Sequence, residues 1–107
     1  MIVIWKYEFE VKDFVDIKMP KDSQILSVQD QNGVACLWVL INTKRPETIR
    51  KFRIFGTGNS LPVNEDIHKY IGTFQTKQGL LVWHLFECGN KALNNSNIVS
   101  IFKNRLN

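Results

Sequence analysis

The sequence predicts a mainly β domain, a small antiparallel sandwich or barrel-like sheet of six or seven strands with a short C-terminal helix. Apolar and polar residues alternate with a period of two through nearly all of residues 3–87, as in strands with one buried face. Turn signals separate these runs at intervals of about ten residues, which favours an antiparallel sheet over a parallel α/β fold. The chain has 107 residues, 44% of them hydrophobic, enough for one core. We expect a β domain over residues 1–90 and a tail over residues 91–107.

The first strand is the clearest. From residue 3 to residue 11 apolar side chains alternate with Lys6, Glu8 and Glu10, which predicts a half-buried strand. A second short strand begins near Val15 and should end at Pro20, because proline has no backbone N–H to donate to a neighbouring strand.

A β-hairpin is predicted around Asn32-Gly33, the dipeptide that most readily supplies two positive φ angles. Its arms are residues 24–31 and 34–43. The second arm is apolar on both faces from Val34 to Ile41, so we expect a central strand covered on each side.

Three more strands are predicted over residues 49–55, 69–76 and 80–87. The glycines, Asn and Pro of residues 56–62 indicate a loop. Lys77-Gln78-Gly79 indicates a three-residue hairpin connection with Gly79 in the left-handed region. The side chains expected in the core are Trp5, Phe9, Leu26, Val28, Trp38, Leu40, Ile54, Ile71, Phe74, Trp83 and Leu85.

The tail has a different period. After the capping residues of 94–97, Ile98, Ile101, Phe102 and Leu106 recur at helical spacing. This pattern predicts a helix from about Asn97 to Arg105, which would pack on its own domain or on a partner.

Positive charge is concentrated in one segment. Residues 44–53 contain five basic residues and one acid, a balance of +4 that equals the net charge of the whole chain. With an acidic protein partner, the contact residues are expected to be Arg50, Lys51, Arg53, Gly56, Thr57, Gly58 and Asn59. With nucleic acid or a nucleotide, Lys44, Arg45, Arg50, Lys51 and Arg53 would contact phosphates. A third reading is a solvated edge strand that resists pairing.

Catalytic and metal-binding patterns are weak. His84 lies within an apolar run, where a hydrogen-bonded structural role is expected. Cys36 and Cys88 lie 52 positions apart without metal-ligand spacing around either, so two reduced thiols are expected. The sequence thus predicts no enzyme, no metal and no cofactor. Residues 1–10 do not resemble a signal peptide, and no apolar run reaches membrane-spanning length, so we expect a cytoplasmic protein.

Several short strings together resemble a family of small, mostly phage- and prophage-encoded proteins of unknown function. They are Ile4-Trp5-Lys6-Tyr7-Glu8-Phe9, Cys36-Leu37-Trp38, Phe55-Gly56-Thr57-Gly58-Asn59, Tyr70-Ile71-Gly72-Thr73-Phe74-Gln75 and Leu81-Val82-Trp83-His84-Leu85-Phe86-Glu87. Members of that family often have histidine where this chain has Asn59, which argues against a loop histidine acting as a base here. The resemblance brings no catalytic residues. It implies a bacterial host cytoplasm as the location.

By analogy with such proteins, the leading hypothesis is a phage-encoded accessory protein that acts by stoichiometric protein–protein interaction, with inhibition of a host defence component as one outcome. The partner would be a host or phage protein with an acidic surface. The alternative is a nucleic-acid or nucleotide-binding module using residues 44–53 and the Gly56-Thr57-Gly58 loop. A homo-oligomer formed by strand-edge pairing is a third hypothesis.

Overall fold

A computed structural model describes residues 1–89 as two antiparallel sheets. The strands are β1 (Ile2–Phe9), β2 (Phe14–Pro20), β3 (Gln24–Gln31), β4 (Val34–Asn42), β5 (Glu47–Gly56), β6 (Ile67–Thr76) and β7 (Leu81–Cys88). The first sheet has the order β1-β4-β3 and the second the order β2-β5-β7-β6. This confirms the predicted antiparallel sandwich, while the predicted helix at 97–105 lies outside the described residues. Within residues 1–89 there is no helix long and apolar enough to cross a membrane.

The predicted hairpin forms the centre of the first sheet. Asn32 and Gly33 adopt φ angles of 53° and 88°, as a two-residue hairpin turn requires. The carboxylate of Asp30 accepts a hydrogen bond from the Gly33 N–H over 3.1 Å, which fixes the turn. As predicted from its apolar run, β4 is the central strand, and it pairs with both β1 and β3.

A second hairpin joins β6 to β7. The connection is four residues long, from Lys77 to Leu80, one residue longer than the predicted turn. Lys77, Gln78 and Gly79 all have positive φ angles, between 52° and 88°, so the expected left-handed Gly79 is preceded by two left-handed residues. β6 also contains two irregularities in its register with β7, between Ile67 and Lys69 and between Tyr70 and Gly72.

The core lies between the sheets and contains side chains from all seven strands. Its largest fully buried members include Phe52, Met19, Leu37, Ile41 and Leu85. On the opposite face of the second sheet, Phe55, Ile67 and Phe86 form a smaller cluster against Leu61 and Tyr70. The segment between β5 and β6, which contains Leu61, therefore covers part of the outer face of the second sheet.

The two flanks of the sandwich differ. On one flank β3 approaches β6 so closely that a Cβ added to Gly72 would lie 2.9 Å from Cγ1 of Val28. On the other flank β1 and β2 are separated by a groove of about 440 Å³, lined by residues 7–10, 12 and 14–18. The sandwich is therefore closed on the β3–β6 flank and open on the β1–β2 flank.

Four side chains predicted to be core residues do not lie between the sheets. Trp5 and Leu26 are each 46% exposed. Trp5 projects from the same face of β1 as Val3 and Tyr7, as expected, but β1 is the edge strand of the open flank. Leu26 is the extra residue of a bulge in β3. Trp38 and Leu40 lie on the outward face of the first sheet, opposite Lys6 and Ile4, and are half-buried. The alternation of apolar and polar residues predicts neither the bulge in β3 nor which face of the apolar strand β4 points outward.

Candidate functional site

Three of the five bases of the basic segment lie on β5, where successive side chains project from opposite faces of the second sheet. Phe52 and Ile54 face the core, and Arg50 has the same parity. Lys51 and Arg53 project from the opposite face. The five bases therefore do not form one surface, although Lys51 and Arg53 lie on one face as the sequence predicted.

Arg50 is held at the end of the core by a fixed set of acceptors. Its Nε and Nη2 donate to the two carboxylate oxygens of Glu87, each over 2.6 Å. Its Nη1 donates to the carbonyl oxygen of Ser23 over 2.5 Å and lies 3.6 Å from Sδ of Met19. The Arg50 and Glu87 side chains are only 18% and 11% exposed, so this bidentate pair is mostly shielded from solvent.

Arg53 has a different structural role. Its guanidinium carbon lies 4.1 Å from the centre of the Phe14 ring and 4.8 Å from that of Phe55. It pairs with the Glu65 carboxylate and donates from Nε to the carbonyl oxygen of Asp13 over 2.9 Å. At 9% exposure, Arg53 connects β2 and the β5–β6 segment to the sheet and leaves little surface for a partner.

A groove near the basic segment lies at the Arg50 end of β5. We call it the Arg50 groove; its volume is about 560 Å³ and it is lined by Lys21, Asp22, Ser23, Thr48, Ile49, Arg50, Lys51, Lys69, Glu87 and Cys88. It contains four basic and two acidic side chains, and both acids are already paired, Asp22 with Arg45 and Glu87 with Arg50. The groove therefore has excess positive charge.

The lysines around this groove are exposed. Lys51 has an acidic neighbour, Asp16, at 3.6 Å, and both side chains are more than half exposed, so the attraction is weak. Within the described part of the chain, Lys21 and Lys69 have no ion-pair partner. Ile49, 57% exposed, adds an apolar contact surface at the same groove.

Cys88 also lines the groove. Burial raises its pKa, while the positive charge of Arg53 opposes the increase. Burial also raises the pKa of Cys36, which lies in the other sheet. Both cysteines are free.

The predicted loop residues Gly56, Thr57, Gly58 and Asn59 lie at the other end of β5. Between Lys51 and Thr57 the strand extends by roughly 20 Å, and Gly56, Thr57 and Asn59 line a separate pocket with Trp83. The structure therefore does not combine this loop with Arg50 and Lys51 into one site.

Near that loop, His84 is fixed by two threonines. Its Nε2 lies 2.7 Å from the hydroxyl of Thr57 and its Nδ1 lies 2.9 Å from the hydroxyl of Thr73. The Thr73 hydroxyl also lies 2.5 Å from that of Tyr70. Both ring nitrogens are engaged, which agrees with the structural role predicted for His84.

The other two bases of the phosphate-binding alternative lie between β4 and β5. Arg45 donates to Asp22 over 2.6 Å, and Lys44 is exposed. Neither Lys44 nor Arg45 lines the Arg50 groove. The alternative set is therefore divided among the β4–β5 turn, the groove and the Arg53 cluster.

Two groove residues, Lys21 and Lys69, were missed by the sequence analysis. Lys21 directly follows β2, and Lys69 lies on β6 at the far edge of the same sheet. Neither belongs to a charge cluster in the sequence, so only the strand order brings them to Arg50. Chemically, the groove offers exposed ammonium groups around a guanidinium that Glu87 already neutralises, and these ammonium groups suit carboxylate or phosphate oxygens.

The comparisons with known proteins identify a family without a function. No curated protein and no solved structure significantly matches the chain. A family model for a domain of unknown function, DUF7352, matches residues 1–95. Because this match spans all seven strands and every residue that lines the Arg50 groove, the chain belongs to the DUF7352 family.

Proposed function

We propose that this protein is a non-enzymatic binding protein that associates stoichiometrically with an acidic segment of another protein. The single observation behind the proposal is the convergence of Lys21, Lys51 and Lys69 around the Arg50–Glu87 pair. These lysines come from three separate parts of the second sheet, and two of them lack internal partners in the described chain. An acidic partner would supply the missing counter-charges.

The composition of the groove favours a protein segment over nucleic acid. Ile49 offers an apolar contact beside the lysines, as a mixed acidic and apolar peptide requires. Three arginines of the basic segment, Arg45, Arg50 and Arg53, are engaged by acids of the same chain. Among the described residues that line the groove there is no aromatic side chain on which a base would stack.

The resemblance noted in the sequence supports a narrower proposal about biological context. We propose that the chain is phage-encoded, works in the cytoplasm of the bacterial host, and that its partner is a host protein, with a defence component as the specific target. Inhibition would follow from occupancy of an acidic surface on that target. Detection of the protein in phage-infected cells, bound to one host protein, would support this context, whereas expression only from a chromosomal locus unrelated to phage would contradict it.

The binding mode can be tested by NMR titration of the full chain. The probe is a capped glutamate-rich peptide with one central leucine, compared with a peptide in which every glutamate is glutamine. At about 150 mM salt, we expect the acidic peptide to shift the amide signals of Lys21, Ile49, Lys51 and Lys69. The glutamine peptide should leave them unchanged.

Matched variants separate charge at the groove from charge elsewhere. Changing Lys21, Lys51 and Lys69 together to glutamate should abolish the shifts, because the attraction becomes repulsion. The same change at Lys12, Lys44 and Lys77, all exposed and outside the groove, should preserve them. Tighter binding of a random oligonucleotide than of the acidic peptide, lost in the groove variant, would replace the proposal with nucleic-acid binding.

A further inference from the structure

The four edge strands of the sandwich differ in how they are protected from pairing. β3 contains a bulge at Leu26, and β6 contains two register irregularities. β2 alternates exposed Asp16 and Lys18 on its outer face and ends at Pro20. Bulges, charges and proline are the usual devices that keep an edge from pairing with another chain. β1 also carries exposed charges, Lys6 and Glu8, but it pairs with β4 over eight residues without a bulge or a proline.

The backbone groups available on β1 follow from its pairing with β4. Met1 accepts a hydrogen bond from the Thr43 N–H over 2.9 Å, and Ile2 is opposite Asn42. In an antiparallel ladder, hydrogen-bonded and non-hydrogen-bonded pairs alternate. Val3, Trp5 and Tyr7 therefore direct their N–H and C=O groups towards β4. The even-numbered residues of β1 direct theirs away from the sheet, and these are Ile2, Ile4, Lys6 and Glu8.

The same strand carries apolar surface that the described chain leaves exposed. Ile2 is 68% exposed and Ile4 58% exposed on the outward face of the first sheet. Trp5, 46% exposed, projects on the opposite face of the same edge strand. A long strand with free backbone groups and apolar side chains on both faces is suited to strand addition.

We propose that β1 pairs antiparallel with β1 of a second copy of this chain. The two-fold axis would place Trp5 opposite Trp5 of the second copy. In this register all four outward-directed residues pair, with Ile4 opposite Lys6 and Ile2 opposite Glu8. No like charges face each other directly, whereas a register centred on Lys6 would oppose two lysines. A single self-complementary edge closes after one partner, as an isologous dimer requires.

Joining two β1 strands in this way makes one continuous six-stranded sheet from the two three-stranded sheets. The Trp5 side chains would cover each other beneath that sheet, on the flank that is open in one copy. The Arg50 groove contains no described β1 residue, so pairing through β1 uses none of its described residues. This inference is therefore independent of the proposed acidic partner.

The test combines sedimentation velocity with residue-resolved amide hydrogen exchange on the full chain. Between about 1 μM and about 1 mM protein, we expect the sedimentation coefficient to rise from monomer to dimer. The amides of Ile4, Lys6 and Glu8 should become protected over the same range, while those of Val3, Trp5 and Tyr7, bonded to β4, are protected throughout.

Two matched variants test the surface. Trp5→Lys places an inward charge on the edge and should weaken dimerisation at least tenfold. Leu26→Lys changes a side chain of the same exposure on the bulged edge and should leave dimerisation unchanged. Circular dichroism would verify that both variants fold. A wild-type chain that stays monomeric at every concentration overturns the proposal. Protection of the even-numbered amides that does not depend on protein concentration also overturns it, because a segment of the same chain would then cover the edge. Equal weakening by both variants would also overturn it.

Discussion

The two ends of β5 place their basic residues in different environments, one at a groove and one in a buried cluster. At the end that begins with Glu47, Ile49 and Lys51 are exposed and Arg50 forms the base of a groove. At the other end, from Phe52 to Phe55, every residue is buried, and Arg53 lies between two aromatic rings. A run of positive charge in a sequence therefore does not by itself predict a positively charged surface. Alternate side chains project from opposite faces of the sheet, and acidic side chains of the same chain can neutralise them.

Each arginine of β5 is neutralised by an acidic side chain from a different part of the chain. Glu87 binds Arg50 with both carboxylate oxygens beneath the groove, and Glu65 binds Arg53 from the segment that covers the second sheet. Neither arginine has a free charge to offer. In the proposed function, recognition would therefore depend on the lysines at the groove.

The largest effect is expected from removing the acid of the more buried pair. Glu87→Ala leaves Arg50 mostly shielded with only the Ser23 carbonyl as a strong acceptor, so we expect a loss of about 3 kcal/mol in the free energy of unfolding. Urea denaturation measures this. Glu65→Ala should cost about 1 kcal/mol, because Glu65 is 35% exposed and Arg53 keeps the Asp13 carbonyl and both rings. Equal losses would remove the distinction between the two ends.

An intermediate effect is expected at Arg53 itself. Arg53→Lys retains the charge but loses the planar group between Phe14 and Phe55, so unfolding should become easier by about 1.5 kcal/mol. Lys51→Gln, two residues earlier on the same face, should change stability by less than about 0.5 kcal/mol. Thermal melting of both variants provides the comparison. A larger loss at Lys51 than at Arg53 would contradict the assigned roles.

The smallest effect concerns the thiols. Because burial raises the pKa of Cys88, less of it is thiolate near neutral pH, and its alkylation should be slower than that of an unhindered cysteine. Its rate should continue to increase at pH values where an ordinary cysteine has already reached its maximum. Cys36, fully buried, should not react until the protein unfolds. Mass spectrometry of iodoacetamide-treated protein resolves the sites, and faster labelling of Cys36 than Cys88 would contradict this order.

Much of the fold was predictable because local signals agreed with the tertiary structure. The alternation before Phe9 predicted β1, and Asn32-Gly33 predicted the β3–β4 turn. The exceptions have physical causes. An extra residue at Leu26 creates a bulge that the alternating pattern does not encode, and Trp38 lies in an apolar strand whose outward face nothing in the described chain covers completely.

The site was less predictable than the fold. Arg50 and Lys51, predicted to contact a partner, both line the groove, but the pattern gave no sign that Glu87 would bind Arg50 from β7. Lys21 and Lys69 join them only because β2 and β6 belong to the same sheet. Side-chain pairing between distant strands depends on strand order and register, which local periodicity does not determine.

The most direct test of recognition by the groove lysines is a comparative capture from bacterial lysate treated with nuclease. The baits are the wild-type chain, the variant with Lys21, Lys51 and Lys69 changed to glutamate, and the control with Lys12, Lys44 and Lys77 changed to glutamate. The account predicts one acidic host protein that is retained in stoichiometric amount by the wild type and the control and lost from the groove variant. Retention by all three baits, or loss from the wild type on nuclease treatment, would contradict it.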